Sequence, residues 1–183
     1  DVDGDGHDDL LVGSPGDDAG VGGGAVRIVS GRTGAVIRTV LGAQPGERFG
    51  HSVDWVGDVN ADGVPDFVVG APRFDLGSIQ NAGRVAMISG ATGSNIGGVA
   101  SGGAGDQGGW AVCGIGDITG DGVPDIAYSI PFNDVGGTDS GRVQLVNGSN
   151  FFHVGVVNGA PGEQLGYSIA WIRRAVGPDC LLI

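Results

Sequence analysis

The sequence predicts an all-β fold built from propeller-type blades of four antiparallel strands, and three observations carry the prediction. First, an acidic stretch followed by an aliphatic run occurs three times: DVDGDGHDDLLVGSP from Asp1, DVNADGVPDFVVGAP from Asp58 and DITGDGVPDIAYSIP from Asp117. The spacings, 57 and 59 residues, mark an internal repeat. Second, two more landmarks keep the same beat. GAQPGERFGHSV (42–53) matches GGAGDQGGWAV (102–112) and GAPGEQLGYSI (159–169), and GAVRIVSGRTG (24–34) matches GRVAMISGATG (83–93) and GRVQLVNGSN (141–150). Third, forty glycines stand against six per cent aromatic residues, and helical periodicity is absent, so the chain favours tight turns between short strands.

The second repeat shows the elements in order. FGHSVDWVG (49–57) alternates as a first strand, the acidic loop 58–66 follows, and FVVGAP (67–72) is a short buried strand. A loop leads to RVAMIS (84–89), rich in β-formers; Gly90-Ala91-Thr92-Gly93 reads as a tight hairpin, and 94–100 as a weaker fourth strand. Applied along the chain, residues 1–183 form one repeat domain or a segment of a larger propeller. The repeats run approximately over 1–46, 47–105 and 106–162, with a partial unit at 163–183. Its last stretch, PDCLLI (178–183), matches PDFVVG (65–70). Propellers typically need four to eight blades, so the sequence leaves open a longer ring, a ring completed by several chains, or an open stack. Because position 1 falls inside a motif, the numbered chain reads as a mature or partial segment.

Net charge is −12, carried by 21 acids of which only Glu47 and Glu163 are glutamates. So acidic a chain is a poor partner for nucleic acid, and no apolar run approaches the eighteen residues of a membrane span. The charge is organised. In D-x-[DN]-x-D-G-x-x-D the odd positions place oxygen ligands on one side of a coiled loop, which suits a hard cation taking six to eight oxygens. The first loop offers Asp1, Asp3, Asp5 and Asp9 with the carbonyl of His7. The second offers Asp58, Asn60, Asp62 and Asp66 with the carbonyl of Val64. The third offers Asp117, Asp121 and Asp125 with the carbonyl of Val123, and has Thr119 where the others carry Asp or Asn. Gly6, Gly63 and Gly122 sit at the sharp turn, which favours φ > 0. Ca²⁺, up to three ions, is the expected cofactor; Mg²⁺ dehydrates reluctantly and seldom uses an all-protein cage. An EF-hand is excluded because the twelfth positions are Val12, Val69 and Tyr128 rather than Glu, and strands rather than helices flank the loops.

Phe49-Gly50 before an acidic loop and Gly70-Ala71-Pro72 after it resemble the FG-GAP repeat of integrin α-subunit β-propellers and related bacterial extracellular proteins. The resemblance covers essentially the whole chain, as about three FG-GAP-like repeats plus partial blades at the ends. It implies four-stranded blades, Ca²⁺ in the loop between the first two strands, and a location outside the cytoplasm. Repeat three departs with Gly108-Gly109 and Ser129-Ile130-Pro131, and repeat one with Gly13-Ser14-Pro15. The partial fourth repeat carries Arg173 and Arg174 where acids are expected, so no ion is expected there.

The remaining signals read plainly. Cys113 and Cys180 occupy different repeat positions, which favours thiols over a disulfide while leaving a bridge between adjacent repeats open. Asn147-Gly148-Ser149 is an N-glycosylation sequon in a hairpin. His7, His51 and His153 share no metal-ligand spacing, and the recurrent Glu47, Asp106 and Glu163 fit turn caps. Trp55 and Trp171 share a repeat position, which favours packing. No nucleophile motif is present, so a catalytic role is not expected. The chain reads as a non-catalytic, calcium-binding extracellular module for adhesion or protein or glycan binding, through the variable loops 73–82 and 132–140. Two other readings stand beside it: a subunit of an extracellular fibre or surface assembly joined through open blade edges, and an accessory domain of a larger secreted hydrolase.

Overall fold

The structure, a computed structural model, describes residues 1–172 and 180–183. Its described residues form strands and turns without helices. Strands β1 (Leu10–Ser14), β2 (Ala25–Val29) and β3 (Val36–Leu41) make a three-stranded antiparallel sheet. The second sheet runs up and down through β4 (Ser52–Gly57), β5 (Asp66–Ala71), β6 (Arg84–Ile88) and β7 (Asn95–Ala100). The third repeats it with β8 (Val112–Gly116), β9 (Asp125–Ile130), β10 (Arg142–Val146) and β11 (His153–Asn158), and β12 (Ala170–Ile172) pairs with β13 (Cys180–Leu182) in a fourth. These are β-propeller blades, and among the described residues the four sheets are not closed into a ring.

Strands two and three of a blade read as continuous apolar runs because sheets stack on both of their faces. Every residue of β5 and of β9 is buried, whereas the outer strands β3, β7 and β11 are largely exposed. The core therefore lies between blades. Val26, Ile28 and Phe49 meet Phe67, Val69 and Ile88 between the first two sheets. Val68, Val85 and Met87 meet Val112, Ile126 and Tyr128 between the next two, and Ile115 and Val143 meet Trp171 and Leu181 at the last. Trp55 packs edge-on to Phe67, ring centroids 5.8 Å apart.

The first strand of repeat two begins at Ser52 rather than at Phe49. Phe49 instead forms a parallel bridge with Gly24 of the preceding blade, its N–H donating to the Gly23 carbonyl (2.8 Å). Gly83 with Gly108 and Gly141 with Leu165 repeat the bridge. Each Phe-Gly position thus stitches one blade to the previous one before its own first strand begins. Ser52 Oγ then donates to the Gly109 carbonyl of the next repeat (3.0 Å).

Candidate metal centres

The second and third acidic loops lead from a first strand to a second, β4 to β5 and β8 to β9, and the first loop leads into β1; β5 and β9 begin at the ninth loop position, Asp66 and Asp125. The leading aspartate coils the loop by collecting backbone amides. Asp1 accepts from Gly4 (2.8 Å), Asp5 (3.1 Å) and Gly6 (2.8 Å). Asp58 accepts from Asp62 (3.1 Å) and Gly63 (2.8 Å), and Asp117 from Gly120 (2.6 Å), Asp121 (3.2 Å) and Gly122 (2.8 Å). Such Asx-type bonds are what short Asp side chains do well. The turn needs left-handed backbone at its sixth position, and Gly6, Gly63 and Gly122 have φ of 84, 85 and 87°.

The fifth-position acids fix the peptide that follows. Asp5, Asp62 and Asp121 accept from the amides of His7 (3.0 Å), Val64 (2.9 Å) and Val123 (2.9 Å). The carbonyls of His7, Val64 and Val123 accept no hydrogen bond among the described residues, so each keeps lone pairs for an ion.

The ninth-position acid is buried and ties the loop to the far hairpin of its own blade. Asp66, 0 % exposed, accepts from Val59 (2.8 Å) and Asn60 (3.3 Å) in the loop and from Gly90 (3.0 Å) between β6 and β7. Asp125, also 0 % exposed, accepts from Ile118 (2.9 Å), Thr119 (3.0 Å) and Gly148 (2.9 Å), and Asp9 from Val2 (2.7 Å) and Gly31 (3.1 Å). Burial pushes the Asp66 carboxyl above its usual range despite these amides. A neighbouring cation offsets that cost by favouring the charged form. Gly90 and Gly148 read in the sequence as hairpin residues, and Gly31 shares their repeat position. In the structure a Cβ at any of them would overlap the carbonyl oxygen of Asp8, Pro65 or Pro124. Their recurrence at one repeat position was the available signal.

Oxygens of Asp1, Asp3 and Asp9 lie within 4.8 Å of one another, and Asp5 stands outside that group. Among the described residues no three acids of the second or third loop converge so closely. The third loop also differs in its polar company. Thr119 Oγ1 donates to Asp117 (3.4 Å) and accepts from Asn147 Nδ2 (2.9 Å), and the same Nδ2 donates to Asp121 (2.7 Å). Ser149 Oγ adds a donor to Asp121 (2.9 Å). The Asn147 amide holds the Asp121 carboxyl below the usual carboxylate range. In the second repeat Ser89 plays the corresponding part more weakly, its Oγ 3.4 Å from Asp62. The Asn147 side chain of the sequon is consequently 5 % exposed, with its Oδ1 accepting from Ser149 and Asn150. The position of Arg173 and Arg174 lies outside the described residues.

The donor set is hard oxygen throughout, and the first loop presents the most complete cluster for an ion of Ca²⁺ size. Other candidates serve the scaffold. Glu47 caps its turn through the amides of Ala43 and Gln44, and Glu163 through Ala160 (2.7 Å). The shorter Asp106 instead accepts from Ser101 Oγ (3.3 Å) and Asn133 Nδ2 (2.9 Å). His51 Nδ1 bonds the Trp110 carbonyl (3.0 Å), beside the Trp110 ring. Cys113 is a buried free thiol; burial, then the nearby Asp54, pushes its pKa up to about 12, which makes it unreactive.

A family profile described as FG-GAP repeat matches residues 1–29, 49–86 and 108–146, more than half of the chain. The chain belongs to the FG-GAP repeat family. In FG-GAP terms, Phe49-Gly50 is the inter-blade bridge and Gly70-Ala71-Pro72 closes the second strand. Human integrin alpha-6 is 37% identical over 132 residues, 67% of this chain and 11% of the integrin. Bovine phosphatidylinositol-glycan-specific phospholipase D is 31% identical over 170 residues, 82% of this chain and 20% of the enzyme. The human phospholipase D is 32% identical over 164 residues, 78% of this chain and 19% of the enzyme. This FG-GAP chain thus spans a fifth or less of the curated relatives it matches. Among the described residues no helix is long and apolar enough to cross a membrane.

Proposed function

We propose that this chain is a calcium-stabilised β-propeller module that acts outside the cytoplasm as a non-catalytic binding unit for a protein or glycan. The observation that carries the reading is the construction of the three loops. A buried ninth-position acid anchors each one to its blade, the fifth-position acid orients a carbonyl left without a hydrogen bond, and the first and third positions carry further side-chain oxygens, from Asp1 and Asp3, Asp58 and Asn60, and Asp117 and Thr119. Asp1, Asp3, Asp5, Asp9 and the His7 carbonyl hold the first ion. Asp58, Asn60, Asp62, Asp66 and the Val64 carbonyl hold the second, and Asp117, Thr119, Asp121, Asp125 and the Val123 carbonyl the third. Bound ions supply charge neutralisation and rigidity, and three of them would bring the formal charge from −12 to −6. The third site is the weakest, since Asn147 already occupies Thr119 and Asp121. Rigid blades then present the loops 73–82 and 132–140 for recognition. The names of the integrin and phospholipase D relatives support a surface or secreted setting.

Asp62→Ala separates this role from packing, because Asp62 is exposed. The variant is expected to lower the melting temperature in calcium by several degrees and by much less in chelator, where only the bonds from the Val64 amide and Ser89 are lost. An equal loss under both conditions would assign Asp62 to packing.

A second reading, association of copies through blade edges, is favoured by β11. This strand ends its sheet, and Phe152, Val154, Val156 and Val157 at this edge are exposed. An unpaired apolar edge is a template for strand addition. Light scattering of a strictly monomeric species over a wide concentration range removes this reading.

A further inference from the structure

Repeats two and three differ sharply in chemistry at one equivalent place, beside the arginine that opens the third strand. In repeat two, Arg84 is ion-paired with buried Glu47 (3.3 Å), and its guanidinium carbon lies 4.6 Å from the Phe74 ring centroid and 5.8 Å from that of Phe49. Strand register makes Arg142, Tyr128, Gln144 and His153 the counterparts of Arg84, Val69, Ala86 and Asn95. Sequence alignment adds Asp106, Gly108 and Asn133 for Glu47, Phe49 and Phe74. The exchanges remove the phenyl rings of Phe49 and Phe74 and one methylene, and bring in the Tyr128 phenol, the His153 imidazole and further polar groups. Asp106 is engaged by Ser101 and Asn133. The Arg142 side chain therefore makes no ion pair, hydrogen bond or ring contact among the described residues, although its Nε is buried. The Tyr128 hydroxyl donates to Gln144 Oε1, which leaves the Gln144 amide nitrogen without a partner among the described residues. Together these residues line a cavity of about 450 Å³, against cavities of about 310 and 300 Å³ flanking Arg84.

We propose that this cavity binds a carboxylated sugar, a uronic acid unit of a glycan; the proposal rests on the reading of the chain as a calcium-stiffened binding module and names its ligand class. A guanidinium lacking an internal partner recruits a carboxylate through parallel N–H donors. Sugar hydroxyls donate to the Asp106 carboxylate and accept from the Gln144 amide and His153. A compact dianion such as phosphate is disfavoured by Asp106 and Asp134 on the same walls, and an apolar ligand by the charged and amide groups that Asp106, Asn133, Arg142 and Gln144 place there. Asn133 belongs to the loop 132–140, so the cavity opens where recognition was expected.

Calorimetric titration of the full chain in excess calcium, with sodium glucuronate as probe and glucose and alanine as comparisons, tests this. Glucuronate is expected to bind with Kd on the order of 1 mM, the scale set by its atom count. Arg142→Met and Gln144→Leu are each expected to weaken it about 10-fold or more, with an unchanged calcium-dependent melt. Absence of saturable binding, equal binding of glucose or alanine, or undiminished affinity in both variants overturns the assignment. The melt of the same samples reports on the calcium loops separately, so a normal calcium transition without glucuronate binding rejects the cavity alone.

Discussion

Removal of divalent ions with a chelator is expected to lower the melting temperature of this chain by about 15 °C or more, and calcium to restore it. A site filled at a hundredfold excess over Kd adds about 2.7 kcal/mol, so three independent sites add about 8 kcal/mol. For a chain of this length each kcal/mol moves the midpoint by about 2–4 °C. The ions matter this much because ten of the 21 acids sit at the ligand positions of three short loops, where unneutralised carboxylates repel one another. Magnesium at equal concentration is expected to restore less, given its reluctance to shed water. A scanning calorimetry trace indifferent to chelator would mean that amide donors alone neutralise these loops.

The second large effect is expected for Gly90→Ala. Gly90 has no left-handed backbone to accommodate; what the position demands is space. An added methyl overlaps the Pro65 carbonyl, and relieving it pulls the Gly90 amide from Asp66, a buried carboxylate. Overpacking costs about 1–3 kcal/mol, and a lost bond to a charged group about 1.5–3 kcal/mol. A total loss of about 3–5 kcal/mol is expected, with weaker calcium binding at the second loop. Gly16→Ala is the control: it meets open space and lies outside the left-handed region, so its midpoint should barely move. Denaturant melts of both variants check the contrast, and equal losses would refute the close-approach argument.

These two positions also show how much was legible beforehand. The strands could be read because glycine turns and aliphatic runs recur in register, and the loop acids because their odd spacing is local. Local patterns do not reach across a blade. The bond from Gly90 to Asp66 joins residues 24 apart, and that from Asn147 to Asp121 joins residues 26 apart. Nothing in the immediate neighbourhood of Asn147 distinguishes a clamp on the third loop from a sequon. Phe49 read as the start of a strand because alternation cannot tell a residue paired within its own sheet from one bridged to the previous blade. The arginine cavity was invisible for the same reason, since its walls come from β7, β9, β10, β11 and two loops that meet only in the folded chain.

A crystal structure grown in ample calcium, with anomalous data to identify the ion, tests the central claim most directly. The account predicts three calcium peaks, each about 2.3–2.6 Å from its loop oxygens, with the peak in the third loop the least occupied. Bare loops, with Asp1, Asp58 and Asp117 turned outward into water, would contradict it.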